Sequence, residues 1–322
     1  MRTIGILRPV AFMLFISFLA LGILSPAVAG AAQKIAIVTI DQEISTQRTV
    51  KGIKKALERP DLAIVYQESM LTGRPESDNQ LINELKKFDP ALFITVGSYA
   101  TSTISGTFPL KSIIFATVMN PLASGFVASM QQPGGHITGA ALDVPPDIQF
   151  TYLKRVVPKA TRLGVLFSSE TENIVRQAEA VSKPLGLKII PIKIESEKDI
   201  PWAIDSICKA ADALWSVADN NIYTPQSTKH IILQTLRNRI PIISFSQALV
   251  QAGGLFTLDF DFKDIGRQAG EIAMRVLRGT APGEIPVATP GVLYFNYNEK
   301  TAGLINIKIP DDLLAIAKEV TK

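Results

Sequence analysis

Few side chains in this sequence are equipped for bond-making chemistry. Its two histidines, His136 and His230, stand far apart, and neither has a Cys or a carboxylate pair beside it at metal-ligand spacing. His136 falls in Gly134-Gly135-His136-Ile137, where a histidine in a turn entering a strand is the simpler reading. Cys208 is the single cysteine, so no intramolecular disulfide can form. Within Ile204-Asp205-Ser206-Ile207-Cys208, a helical-looking stretch, it reads as a small buried apolar residue rather than a nucleophile. There is no Gly-x-Gly-x-x-Gly after a strand, no Walker loop, no Gly-x-Ser-x-Gly elbow and no His-Glu-x-x-His helix. The census argues against an enzyme, and no cofactor or metal is expected.

Binding chemistry is better represented. Polar residues recur where β-branched runs end: Asp41, Gly97-Ser98, Thr117 with Asn120, Ser168-Ser169, Asp219-Asn220-Asn221, and Ser244 with Gln247. Open α/β sheets bind ligands at that edge, because helix N-termini and loop amides converge there. Gly97 lets a ligand approach the backbone. Ser98 reads as an N-cap whose hydroxyl, with neighbouring N–H groups, can hold a carboxylate. Asp219 either pairs with a ligand ammonium or, with Asn220, shapes the turn before a helix at Thr224–Arg237. Trp215 and Tyr223 flank that turn; either can form an aromatic wall, although Trp215 lies in a strand and reads as core. The candidate ligand set is therefore Asp41, Gly97, Ser98, Thr117, Asn120, Ser169, Asp219, Asn220 and Ser244, with Asp259 added from a motif described below.

The elements that must position these residues alternate regularly. Lys34–Ile40, Leu62–Tyr66, Ala91–Val96, Ser112–Thr117 and Ile137–Val144 read as strands bounded by Gly, Pro or Asp. Helices fall between them, one carrying Val50, Ile53 and Leu57 and another spanning Asn79–Phe88. Pro145-Pro146 interrupts the pattern, which then restarts. Strands are expected at Arg162–Phe167, Leu187–Ile192, Ala213–Val217, Ile240–Ser244 and Gly254–Phe260, and helices at Ile148–Val156, Ile174–Leu185, Ile200–Ala210 and Gln226–Arg237. Such alternation predicts two doubly wound, parallel α/β lobes. Lys263–Arg278 reads as a further helix, Val292–Tyr297 as an aromatic run, and Leu313, Leu314, Ile316 and Ala317 as the apolar face of a final helix after Pro310.

The first thirty residues differ from the rest. Arg2 and Arg8 form a basic start, Val10–Leu24 is apolar but for Ser17 and Gly22, and Ala27-Val28-Ala29 follows the helix breaker Pro26. This is the pattern of a secretory signal over residues 1–29, with an uncleaved anchor as the alternative. No cysteine near the cleavage site offers a lipid anchor. Cleavage near Gly30 leaves about 290 residues, enough for two domains. It removes two arginines, so the formal charge falls from +4 to about +2. With no basic block, nucleic acid is not an expected partner. The periplasm is the expected location.

Several motifs in order along the chain carry a resemblance. They are Ile137-Thr138-Gly139-Ala140, Asp143-Val144-Pro145-Pro146, Val157-Pro158-Lys159-Ala160, Arg162-Leu163-Gly164-Val165-Leu166 and Ala218-Asp219-Asn220. Gly253-Gly254-Leu255 through Asp259-Phe260 follows, and then Asp264-Ile265-Gly266-Arg267-Gln268-Ala269-Gly270. Together they resemble the ABC-transporter substrate-binding proteins whose better-known members take up tryptophan and other aromatic amino acids. The resemblance implies the type I periplasmic-binding fold, two α/β lobes joined by three crossing strands with the ligand between them. The crossings would lie near Leu142–Pro145, Leu258–Phe260 and Tyr294–Tyr297. Lobe 1 is then expected at 34–143 and 261–294, and lobe 2 at 146–258 and 297–322. It further implies a monomer that delivers an amino acid or related small organic ligand to an ABC permease. Handing the ligand to a signalling receptor is the alternative, and an exported enzyme a more distant one. Three departures leave the ligand open: Asn120-Pro121 where the family usually has Asp-Pro, His136 where it has Asn, and the loop Ser168-Ser169-Glu170-Thr171. A LacI-like repressor shares the lobes but needs an N-terminal helix-turn-helix where this chain carries the signal pattern.

Overall fold

Sequential β-branched strands connected by helices have one stable arrangement, a parallel sheet covered on both faces, and the chain adopts it twice. The computed structural model describes residues 32–322, so the expected signal peptide lies outside the described residues. The first sheet contains β1 (Gln33–Thr39), β2 (Ile64–Met70), β3 (Leu92–Val96), β4 (Ser112–Val118) and β5 (Ile137–Ala141), in the order β2-β1-β3-β4-β5 with every pairing parallel. Its connecting helices are α1 (Ile44–Leu57), α2 (Pro75–Phe88) and α3 (Ser98–Thr107). Alternation along the strands feeds two cores. Ile35, Ile37 and Ile94 meet Ile53 and Leu57 of α1, whereas Ala36, Val38 and Phe93 meet Leu85 of α2 and Ile104 of α3. Central β3 is buried at all five positions, while edge strand β2 has none fully buried.

The second sheet begins after α4 (Pro146–Val156). Its strands are β6 (Arg162–Phe167), β7 (Lys188–Lys193), β8 (Ala213–Trp215), β9 (Ile242–Ser244), β10 (Phe256–Phe260), β11 (Leu293–Asn298) and β12 (Ala317–Thr321), in the order β12-β11-β10-β9-β8-β6-β7. Helices α5 (Glu172–Ser182), α6 (Ile200–Ala210), α7 (Pro225–Arg237) and α8 (Gln247–Ala252) connect them. Phe150 and Leu153 of α4 and Val175 of α5 pack on one face against Val165, Trp215 and Phe256. Ile204 and Ile207 of α6 and Ile231 of α7 pack on the other against Leu214 and Ile242. Cys208 is half-buried in that layer, and its thiol is pushed up to about 11, first by burial and then by Asp205. The reading of Cys208 as an apolar filler fits this environment.

The tail extends the second sheet and corrects one expectation. The aromatic run forms β11 antiparallel to β10, the one antiparallel pairing in the sheet. The expected final helix is only four residues long, at Asp311–Leu314, and the chain then becomes β12. Leu313 is buried, but Leu314 is 41% exposed and Ile316 48% exposed. These positions therefore make no buried helical stripe, and Lys318, Glu319 and Val320 instead extend the sheet edge beside β11.

The chain passes between the sheets three times. It leaves β5 through Leu142–Pro145, returns after β10 at Asp261, and goes back through residues 289–292 into β11. Between the second and third passages lies α9 (Phe262–Leu277), whose buried face covers the first sheet beside α1. Asp261 fastens this junction: it accepts from Lys263 N–H at 2.8 Å and from the Tyr294 hydroxyl at 2.9 Å, and it pairs with Arg48 of α1 at 3.3 Å.

Candidate functional site

Parallel sheets aim the C-terminal ends of their strands, and the N-termini of the following helices, at one edge. Here the ends of β4, β5, β8, β9 and β10 border a cavity of about 240 Å³ together with the first and third passages between the sheets. From the first sheet and its loops come Met119, Asn120, Leu122, Met130 and Gln131. The second contributes Asn173, Ile174 and Gln177 of α5, Trp215, Ser216 and Val217 after β8, and Ser244 and Phe245 after β9. The end of β10 adds Leu258 and Phe260, and the first and third passages add Leu142 to Pro146 and Thr289. The volume falls somewhat below the roughly 300 to 1,000 Å³ usual for ligand cavities. An occupant would be one small molecule.

Asp143 is the one charged side chain lining the cavity among the described residues. Its two oxygens share the Asn120 N–H at 2.8 and 3.1 Å. Burial pushes its carboxyl up to about 6, with the Asn120 amide and its own amide pulling the other way. Asn120 delivers that amide from a left-handed backbone (φ 49°), and its side-chain oxygen accepts from Ala123 N–H at 3.2 Å. Opposite, Gln149 of α4 ties a passage to the second sheet. It donates to Val144 carbonyl at 2.7 Å and accepts from the Trp215 indole at 2.9 Å. Trp215 thus combines the core role expected of it with an edge at the cavity, and its ring stands edge-on to Phe150 at 5.1 Å.

The candidate residues distribute unevenly around this cavity; of the ten, Asn120 and Ser244 line it. Ser244 is buried with no partner for its hydroxyl, which lies 2.1 Å from where a Cβ on Gly254 would stand, so it points at the β9–β10 connection. Asp41 accepts from Glu43 N–H at 3.0 Å and the Thr46 hydroxyl at 2.6 Å, and borders a separate groove with Lys51, Lys54 and Glu68. Ser98 does not cap its helix. Gly97 takes the N-cap position with φ 91°, which turns the chain directly out of β3 and leaves Ser98 as the exposed first residue of α3. Thr117 adopts φ 55° at the point where the β4–β5 register shifts. Ser169 and Asn220 are exposed on their loops, and Asp259 accepts from Phe260 N–H at 2.9 Å.

Asp219 departs most from its expected role. It is 4% exposed, and its carboxylate accepts from Ser168 N–H (3.1 Å), the Ser168 hydroxyl (2.7 Å), the Thr171 hydroxyl (2.7 Å) and Asn221 N–H (3.0 Å). Three of the four donors fall on one oxygen and the Asn221 N–H on the other, so this carboxylate fastens two loops together and has most of its acceptor capacity filled from its own lobe. Its neighbour Tyr223 packs edge-on to Phe245 at 5.2 Å, and burial raises its hydroxyl well above the ordinary tyrosine range.

The rule that picked out the other strand ends also applies to Asp143, which follows β5 and stands in one of the motifs carrying the resemblance. Asn173 and Gln177 were open to a different signal, polar residues spaced i, i+4 near the start of a helix. Gln131 and Phe245 give no signal in sequence.

Comparison with known proteins agrees with this architecture. The chain is 28% identical over 219 residues to a tyrosine-binding protein of Clostridioides difficile, a match spanning 65% of this chain and 63% of that one, less than two thirds of its length. Two solved structures share the fold. One is the ligand-free, open structure of a substrate-binding protein with adhesive properties from Clostridium difficile (TM-score 0.69, 21% identity, 90% of this chain and 100% of that one). The other is an ABC domain from Streptococcus pneumonia in complex with L-Trp (TM-score 0.59, 23% identity, 90% and 100%). The family model for ABC transporter substrate binding proteins matches residues 34–321, nearly the whole described chain, and the protein belongs to that family.

Proposed function

We propose that the protein is the extracytoplasmic solute-binding component of an ABC importer, and that it holds an amino acid or related small organic molecule in the cavity between its two sheets. The observation that carries this reading is the composition of the cavity wall. Both lobes and two of the three passages contribute to it, so a molecule bound there touches both bodies that would move when the lobes close. Contacts made to both lobes at once favour the closed state over the open one. The lobes are proposed as 34–143 with 261–294 and 146–258 with 297–322. The closed surface would then dock on a membrane permease, and the chain itself would perform no turnover.

The ligands of the tyrosine-binding relative and of the L-Trp complex make aromatic amino acids the first candidates. Trp215, Phe245 and Phe260, with Met119 and Met130, supply apolar surface for such a side chain. A thermal-shift screen over amino acids, nucleobases and small carboxylates tests the reading, because a ligand that binds only the native state raises its melting temperature. A shift with an amino acid is expected. No shift with any small molecule at millimolar concentration would contradict the reading.

A further inference from the structure

We infer that Asp143 is the counter-charge for a cationic group on the ligand, so that the cavity selects molecules bearing a protonated amine. The inference rests on the binding reading above and specifies the chemistry of the same cavity.

A carboxylate offers about four acceptor sites, and the structure fills few of those on Asp143. The Asn120 amide is shared between its oxygens. No cation is among the influences on its ionisation, and among the described residues no basic side chain pairs with it. The elements that face the cavity bring no second titratable group. Residues 119–122 and 130–131, α5, and the ends of β8, β9 and β10 present amides, hydroxyls, apolar chains and aromatic rings. Buried charge without a partner is costly, yet the left-handed backbone at Asn120 is spent on holding this carboxylate in place. The contrast with Asp219, which has four donors from its own lobe, is direct. An ammonium entering the cavity would supply the missing charge and the missing donors together.

A purely structural account gives Asp143 the task of accepting from the Asn120 turn, and an asparagine at 143 would do that equally well. Calorimetric titration of the protein and of Asp143→Asn separates the two. The probes are L-tyrosine, tyramine and the deaminated acid of tyrosine, and the corresponding three compounds for L-leucine. In the set that binds, the amino acid and the amine should bind and the deaminated acid should not. Asp143→Asn should weaken the amine-bearing binders roughly ten- to a hundredfold, the effect of losing a charge-assisted hydrogen bond. Near pH 6, binding should release about half a proton in the parent and none in the variant, seen as heats that depend on buffer ionisation. Binding by the leucine set alone would correct the side-chain assignment and support Asp143. A deaminated acid that binds as tightly as its amine, or an Asp143→Asn variant of unchanged affinity, would overturn the inference while leaving the binding function intact. Silence from both sets while the thermal screen finds a ligand without an amine would overturn the inference alone, and silence throughout would overturn the reading beneath it as well.

Discussion

A buried carboxylate is stabilised either by donors of its own chain or by a partner arriving from outside, and Asp219 and Asp143 represent the two cases. At Asp219, an Asn that keeps an oxygen against the Ser168 and Thr171 hydroxyls must turn its amide N–H₂ toward the Asn221 N–H, which now donates to the other carboxylate oxygen. Asp219→Asn should therefore cost about 1–3 kcal/mol of stability in denaturant melts, with little change in ligand affinity. At Asp143 the sign reverses. Its carboxyl titrates near 6 in the folded protein and close to 4 in an unfolded chain, so between those values the native state binds more protons. Stability contributed by this group is greatest below about pH 4 and falls as pH rises through 6. Without ligand, Asp143→Asn should match the parent near pH 4 and exceed it by about 1–3 kcal/mol at pH 7.5. Equal melts at both values would show that Asp143 is solvated. Residue type and strand-end position marked Asp219 as a candidate, whereas Asp143, to which the same rule applies, was not among the candidates. Which one had spare oxygens depended on where Ser168 and Thr171 came to lie, and no local pattern encodes that.

Among the elements, α9 shows how a sequence motif becomes a contact. Gly266 and Gly270, four apart on its buried face, sit against α1, where Gly52 faces them. A Cβ at Gly266 would stand 2.0 Å from Thr49 carbonyl oxygen, and one at Gly52 would stand 2.1 Å from Lys263 carbonyl oxygen. Neither backbone can yield without parting the helices, so Gly266→Ala and Gly52→Ala should each lower stability by about 1–3 kcal/mol or more. Gly303→Ala, where a Cβ meets nothing within 4 Å, is the control. Thermal melts of the three variants check this. Both lobes were legible because hydrophobic period and turn residues repeat with each βα unit. The tail was not. Leu313, Leu314 and Ile316 share a helical spacing, but with only Leu313 buried the segment gains more from pairing with β11 than from continuing a helix. Ser98 shows the same limit at one residue: serine is a favoured N-cap, but Gly97 reaches φ 91° at no steric cost and takes the position.

For the whole molecule, the proposed motion is closure of two α/β lobes about the three passages between the sheets. The basic start, apolar run and Ala27-Val28-Ala29 predict a mature N-terminus near Gly30, and N-terminal sequencing of a periplasmic fraction should find it there, within about three residues. Intact protein starting at Met1 in the membrane would contradict this. The central claim, that the lobes close on a molecule held between them, is tested most directly by small-angle scattering on one sample with and without saturating amino acid from the calorimetric set. A smaller radius of gyration with ligand is predicted, with a smaller decrease for Asp143→Asn at the same concentration. Superimposable curves for the parent protein, at a concentration where calorimetry shows the site full, would contradict closure.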